Sequence, residues 1–309
     1  MTDLVIRPLA PGEEHIFDQL SDPGLVGTAA FGRSYRATAV AGQYRPEWTW
    51  VALRGDMVLA RAAWWGARDD TEPIVLDWFD FTDADAGSAL LRAARTAGPT
   101  GSAPLRVEYC LPLPAGWRDR PAMRTAVQAR ADAAKAAGMT WLVDRYRYEW
   151  TAASGLPGRP GRLTFRPEPD DSVILDVLRR IHHETLDAHA RHTIADQGLD
   201  AAAREDLDLL RWFPGPREWW RLAYTTEGDL AGLVVPTRNH TTPVVGLIGV
   251  VPEHRGHGYG YDLLAECTHL LAAQGADRIL ADTDLTNTPM VAAFARAGYP
   301  ITQERIFFS

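Results

Sequence analysis

Cysteines and long apolar runs are both scarce in this chain. The 309 residues include two cysteines, Cys110 and Cys267, and two separated thiols form neither a disulfide framework nor a zinc-ligand pattern. The longest uninterrupted apolar run extends from Val244 to Val251, whereas a membrane-spanning helix needs about 20 residues. No apolar stretch follows a basic segment near the N-terminus. We therefore expect a soluble cytoplasmic protein that makes no membrane contact.

Positive charge is also in short supply. The chain carries 32 Lys and Arg residues against 40 Asp and Glu residues, which gives a formal net charge of -8. Sequence-independent binding of nucleic acid depends on many basic side chains that neutralise phosphates. The composition therefore disfavours a broad nucleic-acid surface and leaves only local basic groups for such a role.

Apolar and aromatic residues, by contrast, are plentiful. Hydrophobic residues make up 46% of the chain, which is enough for two domains of about 150 residues each. Eleven tryptophans are present, and several stand in pairs, such as Trp64–Trp65 and Trp219–Trp220. We expect these rings to pack in hydrophobic cores; an aromatic wall in a substrate pocket is the alternative.

Four landmarks occur twice in the same order, at a period of about 160 residues. Each half has an extended run that stops at proline, a Gly-Asp turn between strand-like runs, a strand introduced by proline, and an Ala-rich helix that ends at glycine. The pairs are Leu4–Pro8 and Leu163–Pro167, Gly55-Asp56 and Gly228-Asp229, Pro73 and Pro243, and Gly138 and Gly298. The repeat predicts two tandem α+β domains, each a mixed central β-sheet flanked by helices.

A Gly/Pro-rich stretch without periodicity separates the two halves. We therefore predict a first domain of residues 1–152, a linker of residues 153–162 and a second domain of residues 163–309. The second half has a long helical region, from Ser172 to about Trp220, where the first half has only a glycine-containing stretch. This extra length is where substrate specificity could be determined. Because tandem halves can pack on each other, no oligomer is required.

The most informative segment extends from Leu247 to Gly260. It begins as a strand, stops at Pro252, becomes glycine-rich and continues into an amphipathic helix. Glycines allow backbone N–H groups to turn inward, and a helix N-terminus adds free N–H donors and the positive end of its dipole. The segment therefore predicts a pyrophosphate site. A turn whose glycines serve only backbone geometry is the alternative.

This segment also resembles a known motif. Val250-x-Pro252-x-x-Arg255-Gly256-x-Gly258-x-Gly260 is similar to the acetyl-coenzyme-A-binding motif of GNAT acetyltransferases, in which Arg or Gln precedes x-x-Gly-x-Gly/Ala. The resemblance implies that acetyl-CoA, or another acyl-CoA, is the co-substrate. It implies donor contacts at Val250, Val251, Arg255, Gly256, His257, Gly258, Tyr259 and Gly260.

A second motif supports the resemblance. Asn287 is followed eleven residues later by Gly298, an interval also found in GNAT enzymes, where the asparagine typically bonds the pantetheine arm. Asn287 is also a plausible N-cap for the helix that follows. The resemblance extends over residues 163–309, and Asn287 is therefore added to the expected donor contacts.

The first half lacks the donor motif. After its corresponding strand, Ile74 to Phe81, the sequence has Asp83 and Asp85 where phosphates would bind, and no arginine. Carboxylates repel a pyrophosphate. We therefore expect a degenerate GNAT-like domain without a donor loop, which shapes the structure or the substrate site. This architecture resembles the double-domain proteins similar to mycothiol synthase.

The resemblance implies N-acyl transfer, in which a primary amine of a small molecule attacks the bound thioester. Such a reaction needs a neutral amine, a stabilised oxyanion and a proton for the departing thiolate. In the family, the backbone N–H at the Val250 position polarises the carbonyl. A tyrosine seven residues after the asparagine commonly protonates the thiolate, but Phe294 stands at that position here. Water or Tyr299 could serve instead.

The motifs do not identify the base. Asp282 and Asp284 alternate onto one face of a predicted strand. Further acidic and histidine residues cluster in the helical region, at His183, Glu184, Asp187, His189 and His192. We predict Asp284 and Glu184 as the catalytic residues; a solvated helix surface is the alternative. The histidines lack the i, i+4 spacing of strong zinc motifs, so we predict no metal.

Two other functions stay open from the sequence. GNAT-like double domains also occur in aminoacyl transfer from charged tRNA. Local basic residues that could contact RNA in that case are Arg118, Arg120, Arg124, Arg159, Arg162 and Arg166. The third possibility is a non-catalytic module that binds or senses coenzyme A, for which Phe294 is the main argument.

Overall fold

The computed structural model describes residues 3–20, 24–97, 107–239 and 241–309. The chain forms two compact units. Unit 1 comprises Met1–Asp144 and Gln303–Ser309, and unit 2 comprises Arg145–Thr302. The predicted α+β class is confirmed, since each unit contains a mixed sheet with helices packed against it.

Unit 1 is built on a sheet with the strand order β1-β2-β3-β4-β5-β12. Neighbouring strands are antiparallel except for β4 and β5, which are parallel. The strands are β1 (Leu4–Pro8), β2 (Thr49–Arg54), β3 (Met57–Trp65), β4 (Val75–Phe81), β5 (Tyr109–Pro114) and β12 (Ile301–Phe308). The helices are α1 (Glu14–Phe17), α2 (Tyr35–Val40), α3 (Ala84–Ala97) and α4 (Pro121–Ala136).

Unit 2 has the strand order β6-β11-β10-β9-β8-β7. Here β10 and β11 are the parallel pair, and the other neighbours are antiparallel. The strands are β6 (Trp141–Thr151), β7 (Thr164–Pro167), β8 (Arg221–Tyr224), β9 (Leu230–Arg238), β10 (Pro243–Val250) and β11 (Arg278–Asp284). The helices are α5 (Asp171–His182), α6 (Ala188–Gln197), α7 (Leu199–Trp212), α8 (Tyr259–Ala273) and α9 (Thr288–Arg296).

The compact units do not divide at the predicted linker. Residues 145–151 of β6 come from the first half of the sequence and pair with β11 in unit 2. Residues 303–308 of β12 come from the second half and pair with β5 in unit 1. The division near residue 155 follows the sequence repeat, whereas each unit is completed by the last strand of the other repeat.

Most local elements predicted from the sequence are present. Both Gly-Asp turns connect antiparallel strands, β2 to β3 and β8 to β9. Gly138 and Gly298 follow the ends of α4 and α9 with φ values of 80° and 76°, in the left-handed region that glycine tolerates. The helical region of the first half is more structured than expected, because it contains α1 and α2.

Helix α8 lies between the unit 2 sheet and the chain that covers it. The apolar face predicted for this helix is buried, at Leu263, Leu264, Cys267, Leu270 and Leu271. Its polar residues Asp262 and Glu266 are buried as well, with 4% and 7% of their surface exposed. Helix α8 is therefore covered on both its apolar and its polar face.

Most of the tryptophans are buried, as the sequence predicted. Seven of the rings are buried: Trp48, Trp50, Trp64, Trp78, Trp117, Trp150 and Trp220. Both cysteine side chains are buried. Within the described ranges, no helix has the length and apolar character needed to cross a bilayer.

Candidate functional site

Strands β10 and β11 of unit 2 diverge after a single residue pair. Their ladder contains Val244 and Leu280. Beyond this pair, β10 stays bonded to β9 as far as Val250, and β11 stays bonded to β6 as far as Asp284. The two strands therefore form the arms of a V, and their inner edges are open to an extended ligand. Val250, one of the donor contacts that the resemblance implies, lies at the end of one arm.

The glycine-rich loop connects the end of β10 to α8. Gly256 and Gly258 have φ values of 82° and 75°, which residues with a side chain rarely adopt. A Cβ at Gly260 would approach the Met290 sulfur to 3.1 Å. The N-cap residue of α8 is Gly258, which has no side chain to cap the helix. The N–H groups of residues 256–258 donate to no acceptor among the described residues. The loop therefore presents free donors at the positive end of a helix, which fits a phosphate.

Other predicted donor contacts have different surroundings. Val251 is fully buried, and its N–H donates to the Ala231 carbonyl at 3.0 Å. Its side chain and its N–H are therefore not available to a ligand. The His257 and Tyr259 rings stack with centroids 5.6 Å apart at the start of α8. Asn287 caps α9, since its side-chain oxygen accepts the Met290 N–H at 3.3 Å. The predicted capping role of Asn287 is confirmed.

The Arg255 side chain bonds to main-chain oxygens. Its Nη1 donates to the carbonyls of His183 at 2.8 Å and Glu184 at 3.2 Å, and its Nη2 donates to Ile181 at 2.7 Å. Its Nε donates to the Val250 carbonyl at 3.2 Å. The guanidinium thus satisfies the last carbonyls of α5, where positive charge is favourable. Arg255 therefore braces the end of α5 against the loop.

Glu184 lies in the turn between α5 and α6 and is exposed. Its φ of 54° is positive, which holds for no other non-glycine residue in the described part of the chain. Such a conformation costs about 1–3 kcal/mol and persists only where the surroundings hold it. Arg255 supplies that hold by bonding the Glu184 carbonyl. The backbone of Glu184 is thereby held by an arginine of the loop.

Asp284 is buried at the end of β11 and anchors α6. Its Oδ2 accepts the Ala188 N–H at 2.7 Å, and its Oδ1 lies 3.1 Å from Arg145 Nε. Burial raises the pKa of Asp284, against the opposing effect of the Arg145 charge. Burial also favours the neutral form of Asp187, but Arg145 and the Ala190 N–H prevail, and the pKa of Asp187 is lowered. The two carboxylates therefore share one arginine.

The same cluster is the one group in the described residues with the proximity of metal ligands. One ligand atom each of Asp187, His189 and Asp284 lies within 4.8 Å of the others. Arg145 already occupies the cation position, with Nη2 3.4 Å from Asp187 and Nη1 3.4 Å from His189 Nδ1. A divalent cation beside a guanidinium is electrostatically unfavourable. The cluster is therefore an arginine-centred ion network.

Phe294 belongs to α9, and its buried ring faces β6. Its ring stacks on Tyr148 with centroids 4.3 Å apart and lies edge-on to Tyr299 at 5.4 Å. The Tyr299 hydroxyl shares a 2.8 Å hydrogen bond with Thr268. The Tyr148 hydroxyl is buried, and no described residue lies in hydrogen-bonding geometry with it. Burial raises the pKa of both phenols.

The predicted linker is a well-bonded strap along α8. Tyr261 donates to the Gly158 carbonyl at 3.0 Å, and His269 donates to the Pro157 carbonyl at 2.8 Å. Arg159 pairs with Glu266 at 2.9 Å. These contacts bury the polar stripe of α8.

Arg162 ends this strap at the glycine-rich loop. It forms an ion pair with Asp262 and donates to the carbonyls of His257 at 2.8 Å and Gly258 at 3.3 Å. A bonded carbonyl fixes its peptide plane, and hence the direction of the next N–H group. Arg162 therefore orients the loop from the strap.

The counterpart of the loop in unit 1 is closed by its own side chain. Asp83 accepts the Ala86 N–H at 3.0 Å and so caps the N-terminus of α3. An aspartate in this position satisfies a donor and neutralises the helix end that a phosphate would otherwise use. Asp83 thus takes the place that an anion would have at this helix end.

The V of unit 1 is filled as well. Strands β4 and β5 also share a single residue pair, but a helical turn at Thr28–Phe31 bonds to both arms. The Gly27 N–H donates to the Pro112 carbonyl at 2.9 Å on β5. The Thr28 hydroxyl donates to the Asp77 carbonyl on β4. These bonds use main-chain groups that an extended ligand would need.

Comparison with known proteins agrees with this geometry. Residues 184–299 match the model of the acetyltransferase (GNAT) family. A GCN5-related N-acetyltransferase from Sphaerobacter thermophilus is 15% identical, with a TM-score of 0.58 over 99% of this chain and 94% of that one. A tandem GNAT protein from the clavulanic acid biosynthesis pathway, solved without AcCoA, is 20% identical, with a TM-score of 0.52 over 99% of this chain and 98% of that one. No curated protein matches the chain.

Residues 184–299 therefore match the GNAT acetyltransferase family, and the chain as a whole has the fold of a tandem GNAT protein. The family predicted from the loop motif is confirmed. The matched range lies in unit 2 and contains both sequence motifs, Arg255 to Gly260 and Asn287 to Gly298.

Two residues of unit 2, Tyr148 and Arg145, were not singled out from the sequence, and neither was the contact of Arg162 with the loop. The polar residues Asp262, Glu266 and His269 on an otherwise apolar helix were an available signal for the strap. Tyr148 and Arg145 belong to the first repeat, and no local pattern connects them to unit 2. Only the pairing of β6 with β11 brings them to the site.

Proposed function

We propose that the protein is an N-acyltransferase that moves an acetyl or other acyl group from coenzyme A to a primary amine of a small molecule. The observation that carries the proposal is the uncapped N-terminus of α8 at the end of the open V in unit 2. The family match to residues 184–299 supports acyl transfer in general. When bound, acyl-CoA supplies an acyl group already activated as a thioester.

The residues of the loop divide the task of holding the donor. The N–H groups between Gly256 and Gly260 bind the pyrophosphate with the help of the α8 dipole. Arg255 and Arg162 hold the loop in the required shape from its two sides. The Asn287 amide bonds the pantetheine arm, and the Val250 N–H polarises the acyl carbonyl. His257 and Tyr259 line the same helix start.

The acceptor amine approaches from the turn that carries Glu184. The residue is exposed and its main-chain carbonyl is held by Arg255, and we assign its carboxylate to accept the proton of the attacking amine. Asp284 is enclosed by Arg145 and the Ala188 N–H. We assign Asp284 to positioning, because it fixes the start of α6 and thereby the turn before it.

Donor binding tests the proposal first. Calorimetry with acetyl-CoA should show binding to the parent protein. Gly258→Glu should weaken it at least 100-fold, because a carboxylate about 4 Å from a phosphate costs several kcal/mol near a protein surface. Gly258→Ala is the matched control, since it shares the positive-φ strain without the charge. The control should bind within about tenfold of the parent. Equal affinities for the Glu and Ala variants would remove the donor loop assignment.

Turnover tests the second part of the proposal. A panel of primary amines that includes amino sugars, amino acids and polyamines is incubated with acetyl-CoA, and thiol release is measured. Release that depends on one class of amine, and disappears in Gly258→Glu, supports acyl transfer. Tight donor binding without release from any amine would favour the non-catalytic module instead.

The structure offers no observation in favour of tRNA as donor. Three of the arginines considered for RNA contact are already in ion pairs, Arg118 with Glu304, Arg159 with Glu266 and Arg162 with Asp262. Paired arginines bring little net charge to a polyanion. Binding of charged tRNA that weakens with salt, together with no binding of acetyl-CoA, would reverse this preference.

A further inference from the structure

The Arg255 side chain directs most of its hydrogen-bonding capacity to the chain itself. Its four hydrogen bonds end on the main-chain carbonyls of Val250, Ile181, His183 and Glu184. A guanidinium has five N–H groups in a rigid fork, so only one N–H of Arg255 is left for another acceptor. The resemblance implies a donor contact at this residue, whereas the geometry engages the fork with the end of α5.

The segment that these bonds hold is the turn of residues 183–187 between α5 and α6. The N–H groups of this turn that are bonded in the structure find their acceptors within three residues along the chain. Glu184 has a positive φ, which is uncommon for a residue with a side chain. Beyond the turn, the Ala188 N–H is bonded to Asp284. Arg255 provides the corresponding long-range support at the start of the turn.

Arg255 is also part of the glycine-rich loop. It stands directly before Gly256, whose N–H donates to no acceptor among the described residues. The Arg255 N–H donates to the Pro252 carbonyl at 3.2 Å, and its Nε donates to the Val250 carbonyl at 3.2 Å. One residue therefore bonds the loop through its backbone and Nε, and the turn through its two terminal nitrogens.

A second connection between the same two segments is weaker. Arg180 of α5 forms an ion pair with Glu253 at 3.3 Å, and both side chains are exposed. Exposed ion pairs contribute little to stability and are screened by salt. Two of the Arg255 bonds are partly buried, and all four have a charged donor. Arg255 is therefore the stronger link of the two.

We propose that Arg255 is a positioning residue for the acceptor side of the reaction and not a ligand of the donor. The inference rests on the proposed function, in which Glu184 on this turn is the base. The guanidinium fixes the carbonyls of His183 and Glu184, and so fixes the peptide planes on both sides of the Glu184 Cα. Because Arg255 belongs to the donor loop, the acceptor turn takes its position from the loop that binds the donor.

Hydrogen exchange tests this hold without an acceptor amine. Exchange of residues 180–190 is followed by mass spectrometry in the full-length protein. Arg255→Lys keeps the charge but not the planar fork, and Arg255→Gln keeps neither. Both variants should exchange this segment at least tenfold faster than the parent, with parent-like exchange in the strands of unit 1. Arg180→Gln is the matched control, because it removes the exposed ion pair, and should stay within about twofold of the parent.

Donor affinity distinguishes a positioning residue from a phosphate ligand. In calorimetry with coenzyme A, both Arg255 variants should bind within about fivefold of the parent, because main-chain N–H groups hold the pyrophosphate. A phosphate ligand would instead give a loss of at least 100-fold in Arg255→Gln and a recovery in Arg255→Lys, which restores the charge. Saturating coenzyme A should also slow exchange of residues 180–190 at least threefold in the parent and leave it unchanged in both variants.

Kinetics give a readout that a purely structural arginine would not move. With an amine identified by thiol release, kcat/KM for the amine should fall at least tenfold in Arg255→Lys, whereas the KM for acetyl-CoA should stay within about fivefold of the parent. An equal loss on both substrates would show that Arg255 supports the fold in general, and would overturn the inference.

Two other results would overturn it: parent-like exchange of residues 180–190 in both Arg255 variants, or a loss of donor affinity in Arg255→Gln that Arg255→Lys restores. Failure of the parent to bind coenzyme A would overturn the proposed function and this inference together. Binding by the parent, with parent-like exchange in the variants, would overturn the inference alone.

Discussion

Glu184 and Asp284 are two acidic residues with opposite environments. Glu184 is exposed and has a positive φ, whereas Asp284 is buried, accepts the Ala188 N–H and forms an ion pair with Arg145. An exposed carboxylate can take a proton from an incoming amine and release it to water. A buried one that holds a helix start and an arginine has little freedom to do so. At the residue scale, these environments support our proposal that Glu184 is the base and Asp284 a positioning residue, whereas the sequence predicted both as catalytic.

Substitution of these two residues should give different signatures. Glu184→Gln should lower kcat at least tenfold, about 1.4 kcal/mol in the barrier, with donor affinity and stability unchanged. Asp284→Asn should also lower kcat, and in addition should reduce the free energy of unfolding by about 1–3 kcal/mol, because it weakens a buried ion pair. Steady-state kinetics with an accepted amine and denaturant unfolding measure both effects.

Glu184→Gly provides the control for backbone strain at this position. It should lose activity as Glu184→Gln does, yet gain about 1 kcal/mol in stability, because glycine adopts a positive φ without cost. Parent-like turnover in Glu184→Gln would show that Glu184 is not the base. A stability loss in Glu184→Gly would show that the side chain itself holds the turn.

The linker is the element whose role differs most from its composition. A Gly/Pro-rich stretch without periodicity is typical of a flexible connection, but residues 157–162 bond to α8 along its length. Arg162 of the strap contacts the loop, at the His257 carbonyl. Arg159 of the strap contacts Glu266, about two helical turns further along α8. The strap and the loop therefore form one structural element in unit 2.

Arg162→Gln should weaken acetyl-CoA binding about three- to tenfold, because the loop carbonyls lose their donor and the loop loses a positive charge. Arg159→Gln is the matched control, as it breaks a similar ion pair with Glu266 on the same strap. Each variant should cost no more than about 1 kcal/mol of stability, since both arginines are partly exposed. Calorimetry should show a difference between the variants; equal affinities would mean that Arg162 acts only as a surface ion pair.

At the scale of the whole molecule, the two units have the same strand arrangement and different openings. Both have a parallel pair that diverges after one residue pair. In unit 1 the opening holds the turn Thr28–Phe31, and Asp83 caps the following helix. In unit 2 the corresponding helix start is uncapped. The opening of unit 1 is thus occupied by residues of the chain itself, whereas the helix start in unit 2 has no side-chain cap.

One molecule of coenzyme A should therefore bind per chain. Calorimetry of the parent should give a stoichiometry near one, and Gly258→Glu should weaken this single site at least 100-fold, because the anion loop predicted from the sequence lies in unit 2. Two equivalent sites, or half of the original binding retained in Gly258→Glu, would contradict this expectation and place a second donor site in unit 1.

The amino-acid sequence alone determined the features that depend on neighbouring residues. The hairpin turns, the start of α9 at Asn287, the apolar face of α8 and the strand-loop-helix order of the donor segment all follow from local periodicity and capping chemistry. The repeat predicted two domains of one class for the same reason, since each repeat encodes the same order of elements.

Tertiary structure alone decided what residues far apart in sequence do together. Arg255 has the motif position of a donor contact, but its side chain bonds carbonyls about 70 residues earlier, at the end of α5. Tyr148 and Arg145 reach unit 2 because β6 pairs with β11. Strand pairing depends on long-range backbone hydrogen bonds, which leave no periodic signal in either partner. For that reason the repeat boundary near residue 155 and the compact units have different limits.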